Sequence, residues 1–147
     1  DTTMGVNVPI GKHKIFFRTE HAQIFSYKIE PFPSFGLEQR LDDKGFPRWR
    51  NTTTFGYSAG VVDVAFTGRS IASHKKEDPK EGDLPRHLEW DFHSGYNAAF
   101  GGKLALGVKN FTNRKPPEDE TAGTEKIDSG LYDIMGRTFY VGYTQTF

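Results

Sequence analysis

The chain contains no cysteine. A disulfide framework and a thiolate metal site are therefore both excluded. No run approaches the ~20 consecutive apolar residues that a transmembrane helix needs. That absence leaves barrel strands open, because they cross a bilayer with ~10 alternating residues and give a weak hydropathy signal. Neither sign of charge is in excess, with 19 lysines and arginines against 19 aspartates and glutamates. A balanced chain lacks the basic face that marks a nucleic-acid partner, so none is expected. The motifs of catalysis are missing as well. There is no Gly-rich phosphate loop, no His-Glu-x-x-His and no nucleophile triad. Neither an enzymatic activity nor a cofactor is expected. No segment carries the period of a long amphipathic helix.

What the chain has is aromatic residues, glycine and a period of two. Thirteen phenylalanines stand against two methionines, and glycine occurs 16 times. From Arg137 onward, Phe139, Val141, Tyr143 and Phe147 share one side of a strand, interrupted only by Gln145, while Tyr140, Gly142, Thr144 and Thr146 share the other. Lys103–Thr112 puts Leu104, Leu106 and Val108 opposite Ala105, Gly107 and Lys109. Before it, Leu88, Trp90, Phe92 and Tyr96 alternate with His87, Glu89, Asp91, His93 and Gly95. Val62, Val64 and Phe66 alternate with Asp63, Ala65, Thr67 and Arg69. Arg48–Tyr57 sets Trp49, Phe55 and Tyr57 against Arg48, Arg50, Thr52 and Thr54. The longest expected strand runs from Lys12 to Ile29, and a short first one covers Met4, Val6 and Val8. The expectation is an all-β chain of about seven antiparallel strands.

The connections alternate in length. Pro9–Lys12, Ser58–Gly60 and Asn97–Gly102 are short. Glu30–Pro47, Lys75–Pro85 and Asn113–Gly136 are long and hold most of the proline. Short turns at one end and long loops at the other are the pattern of an outer-membrane barrel. A soluble sandwich would also alternate, with its apolar face buried and its polar face wet. Three features favour the membrane. The apolar faces end in aromatics such as Trp49, Tyr57, Trp90 and Tyr96. Those faces carry almost no formal charge, and a basic residue at mid-bilayer costs ~2–4 kcal/mol. The opposite faces mix both signs of charge with small residues, which a wide, wet lumen tolerates. Phe147, in phase with the last apolar face, suits a strand that closes a barrel.

This pattern assigns Trp90, Phe92, Leu104, Leu106, Val141, Tyr143 and Phe147 to lipid. It assigns Arg48, Arg50, Asp63, Arg69, Glu89, Asp91 and Lys109 to the lumen. His87, Glu89, Asp91 and His93 lie on one side of one strand, with alternate residues ~6.6 Å apart. They could converge on a cation, but a hydrated ladder of charges paired with neighbouring arginines is the plainer reading, and no metal is assigned. Lys75-Lys76, at the long-loop end, would meet anionic lipopolysaccharide in an outer membrane.

Four stretches carry a family resemblance: Gly-Phe-Pro-Arg-Trp-Arg-Asn at 45–51, Ala-Phe-Thr-Gly-Arg-Ser-Ile-Ala-Ser at 65–73, Leu-Gly-Val-Lys-Asn-Phe-Thr-Asn-Arg-Lys-Pro-Pro at 106–117, and Tyr-Asp-Ile-Met-Gly-Arg-Thr-Phe-Tyr-Val-Gly-Tyr at 132–143. In order and spacing they resemble the C-terminal barrel portion of TonB-dependent outer-membrane receptors. Ile134 stands where that family usually has proline, and Thr112 where it usually has an apolar residue. The resemblance covers almost the whole chain and implies that residues 1–147 are about the last third of a barrel of about 22 strands. The plug domain and the TonB box would lie outside this segment. It implies an active transporter in the cell outer membrane that binds a scarce nutrient, a ferric siderophore first, and imports it with TonB-coupled energy. The implied partners are the rest of the barrel with its plug, TonB with its inner-membrane motor complex, and outer-membrane lipid with lipopolysaccharide. Gly136 and Arg137 match the family's Gly-Arg before the final strand, where their role is structural. Two other expectations stay open: a complete eight-stranded outer-membrane barrel with an adhesin, lipid-modifying or structural role, hiding a strand in Pro31–Gly45 or Glu118–Ile134, and a soluble β-protein.

Overall fold

The computed structural model describes residues 1–146; the final position, 147, lies outside the described residues. Period-two alternation builds strands β1 (Thr2–Ile10) and β2 (His13–Gln23), then the short pair β3 (Lys28–Ile29) and β4 (Glu38–Gln39). There follow β5 (Trp49–Ala59), β6 (Val62–Ile71), the short pair β7 (His74–Lys75) and β8 (Asp83–Leu84), and finally β9 (His87–Asn97), β10 (Gly102–Lys109) and β11 (Thr138–Gln145). Seven of these form one sheet in the order β1-β2-β5-β6-β9-β10-β11, and every neighbouring pair is antiparallel. The sheet is thus an up-and-down meander whose described edges, β1 and β11, stay unpaired. The β3–β4 and β7–β8 ladders belong to the long loops. Neither segment offered as an eighth strand joins the main sheet.

Three tight turns sit together at one end of the sheet. Ile10 opposes His13 and Ala59 opposes Val62, so each hairpin closes over two residues. Gly11 and Gly60 both take φ of 61°, which a two-residue hairpin turn needs and which costs glycine no steric penalty. The third turn closes through the Ala98 amide to the Gly102 carbonyl, 2.8 Å.

Register then sorts the side chains. Val6, Phe17, Phe55, Phe66, Phe92, Val108 and Phe139 form one continuous row across all seven strands. Ring centroids in it stand 5.1 Å apart at both Phe17–Phe55 and Phe66–Phe92. The next row toward the tight turns is Val8, Ile15, Tyr57, Val64, Ser94, Leu106 and Val141. No aspartate, glutamate, lysine or arginine of these strands falls on this face. All of them (Lys14, Arg18, Glu20, Arg50, Asp63, Arg69, Glu89, Asp91, Lys103 and Lys109) fall on the other. Among the described residues no second layer covers either face. Phe55 is 49% exposed and Val141 73%.

The buried residues instead gather at the long-loop end. They include Leu41, Ala72, Leu84, Ala122 and Tyr132, together with the polar His74, His87, Glu89 and Asp119. Three loops knit together there. The Lys75 amide donates to the Asp42 carbonyl at 2.7 Å. Lys44 pairs with Glu77 at 2.8 Å, and the Glu77 amide donates to Asp119 Oδ2 at 2.8 Å.

Two strands are shorter than the alternation predicts. β2 ends at Gln23 rather than continuing to Ile29. The Ile24 amide still reaches the Arg48 carbonyl, 2.9 Å, but the segment leading into β5 holds a turn closed by Asp42 N to Phe46 O, 2.9 Å. Pairing resumes only as β3–β4. β10 ends at Lys109 rather than Thr112, because Asn110 takes φ of 46° and leaves the extended region.

Glycine on the sheet serves as a seat for neighbouring rings. A Cβ added to Gly56 would lie 1.9 Å from the Phe16 ring, and one added to Gly107 would lie 2.1 Å from the Tyr140 ring. Each ring occupies the space over its cross-strand glycine. Gly56→Val should therefore lower unfolding free energy by ~1–3 kcal/mol, as overpacking does. The same change made together with Phe16→Ala should cost clearly less than the sum of the two single changes. Denaturant titration of the four proteins measures this coupling, and additive costs would show that the ring does not depend on the glycine.

Candidate functional site

The charged face carries its chemistry in the half nearest the long loops. Arg69 on β6 stands opposite Glu89 on β9, one step along from the Thr67–Asp91 pair. Its guanidinium reaches both carboxylates: Nη2 to Glu89 Oε2 at 3.1 Å and Nη1 to Asp91 Oδ2 at 2.8 Å. Glu89 is only 4% exposed. Its other oxygen lies 2.8 Å from His87 Nε2, two residues along the strand. Asp91 uses Oδ1 to accept from the Asn110 amide at 2.8 Å. That bond helps cap β10 where the chain turns into the longest loop. Asn110 then closes the loop's first turn, donating to the Arg114 carbonyl and accepting from the Arg114 amide.

A second cluster lies toward the tight turns. His93 Nδ1 is 2.9 Å from the Tyr140 hydroxyl, and His93 Nε2 is 3.7 Å from Asp63 Oδ2. Asp63 occupies the space over Gly95. The predicted set therefore divides. Arg69, Glu89 and Asp91 form one network, while Asp63 belongs to the other. Lys109 is opposite Thr138 on the same face, with no carboxylate within 4.0 Å among the described residues. Arg48 stands one residue before β5 and pairs with Asp42 of the adjoining loop through Nη2 at 2.5 Å. It is a loop-anchoring residue rather than a member of the ladder. Trp90, Phe92, Leu104, Leu106, Val141 and Tyr143 all share the apolar face.

His87, Glu89, Asp91 and His93 do not converge on a cation. Among the described residues no group of three or more such side chains could hold a metal. Arg69 fills the position between the carboxylates and supplies their positive charge.

Above the ladder the loop before β11 folds back and forms a pocket of about 270 Å³ with Arg50, Arg69, His87 and Glu89 at its wall and Tyr132 and Asp133 at its roof. Tyr132 packs between two histidine rings, stacked on His74 at 6.2 Å and edge-on to His87 at 5.2 Å. It is 4% exposed, and its hydroxyl has no hydrogen-bond partner among the described residues. Burial pushes the phenol up to about 12, helped by Asp128 and opposed by Arg50. Tyr132 therefore stays neutral across the physiological range. The pocket offers closely spaced donors and acceptors of both signs, suited to holding water or a polar solute.

Asp119 holds the roof in place. It is 1% exposed and accepts from the Glu77 amide, the Thr121 amide and the Thr121 hydroxyl at 2.8, 3.0 and 2.6 Å. Burial raises its affinity for a proton, but these three donors outweigh burial and hold its carboxyl below the usual 3.8. Neither Asp119 nor the packing of Tyr132 was singled out by the sequence reading. The Asp-x-Thr spacing is the available signal for the first, since such an aspartate bonds its own backbone two residues on. Nothing local marks the second, because both histidines come from other loops and strands.

Two outcomes follow from this geometry. Asp119→Ala leaves buried donors unpaired and should cost ~1–3 kcal/mol, read as faster hydrogen exchange at the Glu77 and Thr121 amides with β5 and β6 unchanged. Because the folded carboxyl is lowered, its stabilising contribution is complete above 3.8 and is lost as pH falls through the lowered value, so the same amides should loosen only at strongly acid pH. Tyr132→Phe removes an unpaired hydroxyl and should leave stability unchanged or raise it by up to ~1 kcal/mol. A clear loss would mean the hydroxyl has a partner.

Compared with family models, with curated proteins and with solved structures, the chain matches none.

Proposed function

We propose that the chain is the C-terminal part of a transmembrane β-barrel in a bacterial outer membrane, and that the whole protein is an active importer of the TonB-dependent kind. The observation that carries this reading is the separation of charge across seven registered strands. One face has no formally charged residue and no covering layer, and the other holds every strand charge. In water such an apolar face would be an aggregation surface. In a bilayer it is the required one, since a basic residue there costs ~2–4 kcal/mol at the midplane. A sandwich would bury that face under a second sheet, and the described chain forms none. The strands of up to 11 residues have the length of tilted membrane strands.

Strand direction supports a larger barrel. β1 and β11 run the same way, because six antiparallel steps separate them. Pairing them directly would make a parallel joint. Antiparallel closure needs an odd number of further strands, and a barrel of about 22 leaves about 15. Those strands, with a plug and a TonB-contacting segment, would come from the rest of the receptor. The long loops would face the outside and the tight turns the periplasm. The Arg69 network and the pocket beneath Tyr132 would line the lumen near its outer mouth. The proposed cargo is a ferric siderophore, which rests on the family resemblance alone.

Cysteine scanning in the full receptor tests the topology. Positions 104, 106 and 141 should resist water-soluble thiol reagents, while 109 and 138 should react when the lumen is open. A label at Gly123 should be reachable on whole cells and one at Ala59 should not. The reverse pattern at both pairs would overturn the membrane assignment. For the cargo, deleting the gene should abolish uptake of one ferric chelate. Unchanged iron uptake with loss of cobalamin or a sugar would replace the siderophore.

A further inference from the structure

The apolar face ends, on the long-loop side, in a row that continues the strand register: Gln23 opposite Trp49, Trp49 beside Ala72, and Arg86 directly before β9. Ala72 carries only a methyl, so the Arg86 side chain can pass over it to the tryptophan. The guanidinium carbon stands 5.5 Å from the Trp49 ring centroid. Arg86 Nε donates to Ser70 Oγ at 2.9 Å. The His21 ring stacks on the same tryptophan at 5.8 Å. These residues form a line along the rim, with Leu88, Trp90 and Phe66 below them on the same face.

Arg86 differs from the other arginines that the structure fixes in place. Arg18, Arg40, Arg48 and Arg69 each lie against a carboxylate. Arg86 has none within 4.0 Å among the described residues. It is oriented by a hydroxyl and an indole, which leave its charge uncompensated, and it is exposed. A guanidinium fixed in this way presents its terminal nitrogens in a planar fork that matches a phosphate. Its position matters equally. It is the first cation met on leaving the charge-free face toward the long loops, the height at which lipid headgroups begin. Tryptophan at that height is an interfacial anchor.

We propose that Arg86, held by Trp49 and Ser70 and flanked by His21, binds the phosphate of an anionic lipid in the leaflet that surrounds the long-loop end of the sheet. The inference rests on the membrane reading above, because only lipid packed against Phe66, Trp90 and Leu88 would bring its headgroup to this rim. Arg86 supplies the charge and the hydrogen bonds, Trp49 holds the guanidinium against the sheet, and His21 offers a second ring nitrogen beside the headgroup. The acyl chains would run down the aromatic row. The pairing anchors this side of the barrel at a fixed depth.

The test uses the full receptor purified in detergent and given phosphatidic acid or phosphatidylcholine, with retained lipid counted by native mass spectrometry. The wild type should retain phosphatidic acid preferentially. Arg86→Gln should reduce that retention about fivefold, the effect of one basic residue at a membrane surface. Trp49→Phe should give an intermediate loss, and Lys103→Gln, on the opposite face near the tight turns, should change nothing. Unchanged retention in Arg86→Gln would overturn the proposal, as would full displacement of the lipid by millimolar inorganic phosphate, which would indicate a site for a soluble anion. A parallel measurement separates this failure from failure of the membrane reading. Brominated lipids in reconstituted bilayers should quench Trp90 fluorescence in a Trp49→Phe background. Quenching without lipid retention would defeat the Arg86 site alone, whereas absence of quenching would defeat both.

Discussion

A slip of one residue in any of the six strand pairings would move that strand's outward apolar side chains onto the charged face and its polar ones onto the apolar face. Everything else in the structure depends on that register being held. The two-residue turns at Gly11 and Gly60 set it at two hairpins. The phenylalanine row and the rings seated on Gly56 and Gly107 hold it across the middle of the sheet. Among the described residues the apolar face has no packed layer to correct an error, so on that side the correction has to come from within the sheet.

The sheet therefore depends little on a conventional core. Its two faces are built differently. On the charged face one guanidinium serves two carboxylates, and a histidine completes the set. A carboxylate as buried as Glu89 would be costly if left unpaired. The apolar face has no ions to satisfy. Its polar side-chain atoms are hydroxyls, amides, the indole N–H groups of Trp49 and Trp90, and two histidines, His13 and His21, one near each end.

Among the described residues the packed interior belongs to the long loops. Leu41, Ala72, Leu84, Ala122 and Tyr132 are too few to fold alone, yet they are ordered by backbone and side-chain bonds that run between all three loops. Asp119 is the centre of that arrangement, and the sheet end is its floor. The consequence is a roof over the Arg69 network that is tied down at several points along its length. The pocket exists because a loop more than 40 residues distant from His87 returns to cover it.

The seven strands of the main sheet, which side chains share a face and the approximate places of the tight turns were legible in the sequence, because side-chain alternation has a period of two and turn glycines act locally. Trp90, Phe92, Leu104, Leu106, Val141 and Tyr143 could be placed on one face from parity alone. The charge ladder was legible as a ladder, though not in its pairings. Which carboxylates meet Arg69 depends on the register between β6 and β9, and a separate strand's alternation says nothing about its offset from a neighbour. The end of β2 at Gln23 was hidden for a similar reason, since the interruption lies in the segment leading into β5, at the turn from Asp42 to Phe46. The burial of Asp119, the packing of Tyr132 between His74 and His87, and the placing of Arg86 on Trp49 were decided only by the tertiary structure. Each joins residues from different loops or strands, and such contacts exist only once the sheet has fixed where its loops begin and end.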